Sequence, residues 1–318
     1  MVRVLIVGVG RMGFAHAKAA SKISGVDLCG LVARDFRNWQ NVTDFFADVP
    51  LYNDFKAALA ASKPDAVIIS SYTDTHALYA SMAMEAGVHV FVEKPLGLTK
   101  REAGYTIAKA RKENKKLMVG YILRHHDMWK KFVELSKSLS GPLNVKITSN
   151  QYSKGEEWEQ HKNILNAGLS PIVDCGIHYI DIMNQMSDGE VTDIQAIGYK
   201  TEPDISIPNV VGVKFTYSDG SQFIFESGFG PSIDPNLKPI REVVAKDGQI
   251  NITHDDRLIH NGFERTYDKD IYDQSIDAQQ KSFFNAIKKD INLEEHWIGV
   301  ALSHAIALIA EEEMKVGS

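Results

Sequence analysis

The sequence predicts an α/β N-terminal domain of Rossmann type, with a doubly wound parallel sheet, followed by an α+β domain on a mostly antiparallel open sheet. Three observations predict this. Residues 1–120 alternate short apolar, β-branched runs with helical stretches. A glycine-rich turn, Gly8-Val9-Gly10-Arg11-Met12-Gly13, joins the first of these runs to the first helix. Beyond Gly120 the texture changes to strands that alternate apolar and polar residues, with a turn signal at Ser218-Asp219-Gly220-Ser221.

Taken in order, Val2–Val7 reads as a strand, Arg11–Lys22 as a helix and Val26–Ala33 as a second strand. A weaker helical stretch follows around Val42–Ala47. The apolar run Ala66–Ile69 precedes a helix over Thr75–Ala86, and Val88–Val92 precedes one over Lys100–Glu113. Lys116–Val119 is the last strand of this part. Continuous apolar runs of this length between helices mark strands buried on both faces, hence a parallel sheet of right-handed βαβ units. In the second part, Val210–Tyr217 and Gln222–Phe225 form a hairpin with one buried face. Val145–Tyr152, Val191–Tyr199, Ile240–Ala245 and Gln249–Thr253 add strands, and Pro171–Met186 is a helical region. Asp273–Lys289 and Trp297–Lys315 close the chain as helices. The domains so read are 1–120 and 121–318, the last helix being free to pack back on the first.

The length of 318 residues suits about two domains. With 35 basic and 41 acidic residues the net charge is −6, so the chain lacks the basic excess that drives nucleic-acid binding. No apolar run approaches the length of a membrane span, and the apolar start breaks into Gly8-Val9-Gly10, too short for a signal peptide. The two cysteines, Cys29 and Cys175, form no motif, so a reducing cytoplasm is expected, with Cys175 a packing residue. The acidic run Glu311-Glu312-Glu313 reads as an exposed helix face.

Alone, the glycine pattern is a weak signal; between a strand and a helix it reads as a dinucleotide fingerprint. Gly8 permits the tight turn, Gly10 lets backbone amides approach a pyrophosphate, and Gly13 lets helix and strand pack closely. The helix N-terminus adds roughly half a positive charge. About 20 residues on, where an acid would bond the ribose 2′-hydroxyl, stands Ala33-Arg34-Asp35. Arg34, assisted by Arg37, suits a 2′-phosphate and favours NADP over NAD; the alternative is that Asp35 swings in and selects NAD. At the carboxyl end of the strand Val88–Val92, Glu93-Lys94-Pro95 aims an ammonium over the ligand crevice, since Pro95 holds Lys94 extended. On spacing alone a structural lysine fits equally well. In Asp174-Cys175-Gly176-Ile177-His178-Tyr179-Ile180-Asp181, helical spacing would put Asp174, His178 and Asp181 on one face, a carboxylate orienting an imidazole for proton transfer. Arg124-His125-His126-Asp127 lacks further ligands at a metal-binding spacing, so no metal is expected. Tyr152, Glu156 and Trp158 read as a polar loop able to rim a pocket.

Together these residues resemble the Gfo/Idh/MocA (glucose–fructose oxidoreductase / inositol dehydrogenase) family over essentially the whole chain. The carriers are the N-terminal fingerprint, Glu93-Lys94-Pro95 (the most family-specific element) and the Asp174…Gly176…His178…Asp181 cluster. The resemblance implies catalysis by Lys94, Asp174 and His178, with Ser71, Thr73, His76 and Glu93 on the cofactor side beside Arg11 and Met12. It also implies substrate contacts from Arg124, His125 and Tyr152. Asn166-Ala167-Gly168-Leu169-Ser170-Pro171 departs from the glycine-rich run of many members, and Ala33-Arg34-Asp35 looks more like the NADP-using dihydrodiol-type members.

What it implies is an NAD(P)-dependent dehydrogenase acting on a secondary alcohol or ketone of a sugar, inositol-like cyclitol or polyol. Two alternatives of other classes stay open: an NAD-dependent glycoside hydrolase, and a non-catalytic nucleotide- or sugar-binding regulator. A homodimer or homotetramer is expected by the same resemblance. An apolar sheet face, for which Phe215, Tyr217, Phe223 and Phe225 are candidates, would also need a cover.

Overall fold

The structure is a computed structural model that describes residues 1–37 and 39–317. The chain divides into two compact units, Met1–His125 with Tyr272–Ala301, and His126–Ile271 with Leu302–Ser318. Residues 272–301, which the pattern alone placed in the second domain, thus belong to the first unit.

In the first unit, strands β1 (Val2–Val7), β2 (Val26–Val32), β3 (Leu51–Tyr52), β4 (Ala66–Ile69), β5 (His89–Val92) and β6 (Leu117–Val119) form one sheet. Its order is β3-β2-β1-β4-β5-β6 and every pairing is parallel. The order reverses between β1 and β4, the switch point outside which such sheets bind ligands. Val4–Val7 and Ala66–Ile69 are at most 2% exposed, as strands covered on both faces must be. The connecting helices are α1 (Arg11–Ser21), α2 (Gln40–Phe45), α3 (Phe55–Ser62), α4 (Thr73–Glu85) and α5 (Lys100–Lys112). Helix α5 opens on a capping box, Thr99 bonding the Glu102 amide while Glu102 bonds back. The short β3 and the alanine-rich α3, capped by Asp54 on the Ala57 amide at 2.8 Å, were not read from the sequence.

In the second unit, α6 (Asp127–Ser136), α7 (Glu156–Asn166) and α8 (Ile177–Met186) accompany a nine-stranded sheet. Its strands are β7 (Asn144–Tyr152), β8 (Val191–Tyr199), β9 (Val210–Tyr217), β10 (Gln222–Gly230), β11 (Arg241–Ala245), β12 (Gly248–Ile252), β13 (Arg257–His260), β14 (Phe263–Thr266) and β15 (Lys315–Val316). The order is β14-β13-β12-β11-β7-β10-β9-β8-β15, antiparallel except for β7 with β10 and β8 with β15. Helix α7 corrects the sequence reading: Glu156 and Trp158 are helical, not loop, residues. The final helices are α9 (Ile271–Lys288) and α10 (Glu294–Glu312).

The aromatic face of the β9–β10 hairpin is a second correction. Register sets Phe215 opposite Phe223, and those rings stack at 5.6 Å. Phe215, Phe223 and Phe225 are fully buried and Tyr217 is 2% exposed, because α8 lies across this face with Tyr179 at 5.5 Å from Phe225. Alternation establishes that one face is apolar, and here a helix of the same unit covers it. The opposite face carries Lys146 and Glu226, paired at 3.2 Å. These aromatics therefore call for no second subunit. Replacing Phe225 with Ala should lower unfolding free energy by about 3–5 kcal/mol in denaturant titration. A loss within about 0.5 kcal/mol, the range of surface sites, would show that the ring is not core.

Candidate active site

The glycine turn is shaped by contacts that no side chain would tolerate. Gly8 has φ +87°, and a Cβ there would lie 2.6 Å from the Ser70 carbonyl oxygen. A Cβ on Gly13 would stand 1.9 Å from the Gly8 carbonyl oxygen, so α1 sits directly on the turn. Ser70 Oγ donates to that same oxygen at 3.1 Å, tying the turn to the end of β4. Helix α1 has no side-chain cap and no acid in its first turn, which leaves its leading amides for an anion. Beside Gly10 the nearest foreign atom is on Trp39 at 3.8 Å, leaving room for a pyrophosphate. The turn fits a dinucleotide.

At the end of β2, Asp35 and Arg37 face each other. The Arg37 Nε–H donates to both carboxylate oxygens at 3.0 and 2.7 Å, and the Arg37 amide adds a bond at 2.9 Å. These bonds hold the exposed Asp35 carboxyl down at about 2. Arg34 instead lies over the Tyr72 ring, 4.8 Å from its centroid.

At the end of β5, the Glu93 carboxylate is buried and hydrogen-bonded. His16 Nε2 lies 2.7 Å from Glu93 Oε1, and Gln280 Nε2 lies 2.9 Å from His16 Nδ1. Because the Gln280 amide donates to Nδ1, Nε2 carries the ring proton and donates to Glu93. The other Glu93 oxygen accepts the Lys94 amide at 3.2 Å. Glu93 thus shapes the turn that presents half-buried Lys94. His76 ties the same turn to β4: Nδ1 is 2.8 Å from the Pro95 carbonyl oxygen and Nε2 is 3.0 Å from that of Ser71. It is 2% exposed, with both nitrogens engaged by backbone, so it positions the two loops. Burial pushes it below the usual imidazole range, although a neutral ring can donate to only one of the two carbonyls. Ser71 Oγ bonds Thr75 Oγ1 at 2.6 Å, and Thr73 is the first residue of α4.

Sequence reasoning missed His16, Gln280 and Tyr272. The signal for His16 was a polar residue among Ala15, Ala17, Ala19 and Ala20, inside a buried helix face. Gln280 and Tyr272 join the glycine turn from the far end of the chain, with no local mark. The Tyr272 hydroxyl lies 3.9 Å from Met12 Sδ. Burial raises its pKa, Glu93 adds to the rise, and Arg11 and Lys94 oppose it, so the phenol stands in the field of the Lys94 turn.

In the second unit, Asp174 lies in a single π-helical turn, Ile172–Gly176, that runs into α8, where His178 sits one residue inside. Both are half-buried, whereas Asp181 is 2% exposed. Asp181 accepts the Ser303 hydroxyl at 2.9 Å and the Gln185 amide at 3.0 Å, which makes it a packing residue. The Cys175 thiol is buried, 3.3 Å from the Pro171 carbonyl oxygen. Tyr152, at the end of β7, is 37% exposed. In the first unit, Arg124 and His125 end a 3-10 turn, Ile122–His125. Arg124 Nη1 is 3.0 Å from His296 Nδ1 and the guanidinium lies over the Tyr121 ring at 5.2 Å. His126 is buried, which pushes its pKa down to about 4. Among the described residues no group of three or more His, Cys, Asp or Glu is placed to hold a metal, and no helix is long and apolar enough to cross a membrane.

A doubly wound parallel sheet with a glycine turn and an uncapped helix N-terminus at its switch point is the architecture of a dinucleotide-binding domain. Residues 2–121 match the Gfo/Idh/MocA family model, described as the oxidoreductase family with NAD-binding Rossmann fold. It is 24% identical over 233 residues to the rhizopine catabolism protein MocA of Rhizobium meliloti, a match covering 71% of each chain. It is 28% identical over 200 residues to an inositol 2-dehydrogenase/D-chiro-inositol 3-dehydrogenase of Halalkalibacterium halodurans. That match spans 61% of this chain and only 55% of the relative. The structure of scyllo-inositol dehydrogenase from Lactobacillus casei, with NAD(H) and scyllo-inositol bound, superposes with a TM-score of 0.82. That likeness is at 19% identity and covers 99% of this chain and 97% of the other.

Substituting Gly13 with Ala should force α1 off the turn, at about 1–3 kcal/mol of overpacking. The expected result is a lower Tm and at least about tenfold weaker NAD(P) binding by fluorescence titration, since 1.4 kcal/mol is a factor of ten. Unchanged affinity would show that the turn does not hold the phosphates.

Proposed function

We propose that this protein is an NAD(P)-dependent dehydrogenase/reductase acting on a secondary alcohol, or the matching ketone, of a sugar, cyclitol or related polyol. The observation that carries this is the placement of Lys94. A half-buried ammonium-bearing residue stands at the carboxyl end of β5, on a turn held by Glu93, beside the switch point of a dinucleotide-binding sheet. Asp174 and His178, together on one helical segment of the second unit, supply a proton-transfer pair. The activities of the inositol dehydrogenases this chain resembles support the substrate class.

Gly8, Gly10, Arg11, Met12 and Gly13 hold the pyrophosphate, and Ser71, Thr73 and Tyr272 border the nicotinamide side. The bound nicotinamide supplies the hydride acceptor in oxidation and the hydride donor in reduction. The chain's own groups manage charge and proton. In oxidation, neutral His178 accepts the hydroxyl proton as the carbinol carbon gives up hydride. Lys94 donates a hydrogen bond to the reacting oxygen and stabilises its developing negative charge. Asp174 orients His178 and favours its charged form. In reduction the imidazolium returns the proton and Lys94 polarises the carbonyl. Arg124, His125 and Tyr152 are proposed as flanking substrate contacts, Arg124 being the most constrained because it is already seated against His296.

We further propose NADP as the preferred coenzyme. Arg37 is committed to Asp35, which occupies the carboxylate that would otherwise select a ribose diol. Arg34, spread over Tyr72, presents its guanidinium edge for a 2′-phosphate while its face stays stacked.

Lys94→Ala should lower kcat by about 10²–10³ while NAD(P) binding is retained, as expected for removal of one preorganised donor to a developing oxyanion. Normal turnover would remove Lys94 from the mechanism. Arg34→Ala should raise the KM for NADP at least about tenfold with little effect on NAD, the size of one charge-assisted hydrogen bond. Turnover by the wild type with NAD alone would overturn the NADP assignment. A cofactor-absorbance screen against inositols, aldoses and their oxidised forms, run with both coenzymes, tests substrate class and coenzyme together.

A further inference from the structure

The acidic run at the end of α10 is not a uniform exposed face. Glu312 and Glu313 are exposed, but Glu311 turns inward and its Oε2 accepts the hydroxyl of Ser170, a residue 141 positions earlier and itself fully buried. Ser170 caps the turn that bears Asp174. Its Oγ accepts the Ile172 amide at 3.1 Å, and its carbonyl oxygen accepts the amides of Val173 at 3.0 Å and Asp174 at 2.9 Å. A single chain of donors therefore runs from the helix amide through the Ser170 hydroxyl to the Glu311 carboxylate, each bond polarising the next. A negative charge here also complements the positive end of the helical segment that continues through His178.

We propose that Glu311 is a positioning residue for the Asp174–His178 segment: ionised, it grips the Ser170 cap and holds the π-helical turn in register, and on protonation it releases that grip. The inference rests on the dehydrogenase assignment of Asp174 and His178. Two opposing forces set its titration. Burial disfavours the carboxylate and the Ser170 hydroxyl favours it, and burial prevails, leaving Glu311 at about 7. The titratable groups on the packed elements are Asp174, His178 and Asp181 on the capped segment, His304 on the same helix, and exposed Glu312, Glu313 and Lys315 at the chain end. The fold holds this acid above its ordinary 4.5, so it favours the neutral form. The stability that preference provides is fully present below the unfolded value and is lost as pH rises through the native one. The ionised grip thus orders the catalytic turn at a cost in stability; that cost develops between 4.5 and about 7, and the grip itself forms near 7.

Glu311→Gln, a neutral isostere that stands in for the protonated acid at every pH, separates the two effects. Its Tm should match the wild type at pH 3.5 and exceed it by about 3 °C or more at pH 8.5, the shift expected per kcal/mol or so for a unit of this size. The wild-type kcat profile should carry an inflection near 7 that Gln abolishes, with kcat at pH 8.5 about tenfold lower and the KM for coenzyme unchanged. Ser170→Ala should give the same kcat loss, and the double variant no further loss, as for two members of one chain. Imidazole NMR of His178 reads the coupling without any substrate: its shift should report a second titration in the wild type and none in Glu311→Gln. Superimposable Tm–pH curves, or a His178 titration unchanged by the substitution, would overturn the proposal. If no sugar or polyol turns over while the Tm and NMR differences persist, it is the dehydrogenase assignment that falls and the Glu311 coupling that stands.

Discussion

The first unit depends on one buried hydrogen-bonded chain, Gln280 to His16 to Glu93. A carboxylate removed from water is costly unless donors replace its hydration, and here the donors come from three parts of the chain. His16 lies on the helix that follows the glycine turn, Lys94 contributes its own amide, and Gln280 sets which imidazole nitrogen bears the proton. Each member orients the next, so the phosphate-binding helix and the lysine-bearing turn cannot shift independently. Removing one partner would leave the others buried and unsatisfied, which is why the chain acts as a unit.

The two units solve different problems. The first supplies fixed polarity: uncapped helix amides, a lysine on a braced turn, and a buried neutral histidine seated between the Ser71 and Pro95 carbonyls. The second carries Asp174 and His178 on a helical segment laid across an aromatic sheet face, with Phe225 and Tyr179 as part of the bed. The single π turn under Asp174 marks where helical register has been altered, a feature that recurs at functional sites. Its cap is held from the C-terminal helix, so the end of the chain bears on the geometry of a segment in its middle.

Much of this was legible in the sequence because it is local. Strands buried on both faces announce themselves as unbroken apolar runs, and β1, β4 and β5 were placed to within a residue at the site-bearing ends. The glycines could be assigned because their constraint is steric and lies within six residues of chain, Gly8 to Gly13. Glu93-Lys94-Pro95 and Asp174…His178 were recognisable as motifs, and the structure accounts for Glu93 and Asp181 as positioning and packing residues. What escaped was weakly patterned or remote. The two-residue β3 has too little periodicity to see, and α7 is so polar that its first turn resembles a loop. The edge strand β14 is exposed throughout and carries Glu264 and Arg265, so its alternation with apolar residues is lost, and its four-residue neighbour β13 is too short to show a pattern.

By itself the sequence determined the class of fold, the dinucleotide turn and the identity of the titratable groups, since each follows from spacing along a few turns of chain. Tertiary structure alone decided which face of the β9–β10 hairpin is covered, that His76 braces loops, and that one of three consecutive glutamates is dehydrated. The physical reason is the same in every case. Burial and hydrogen-bond satisfaction depend on atoms brought together in space, and a residue's own neighbours in sequence carry no record of which distant side chain will displace its water.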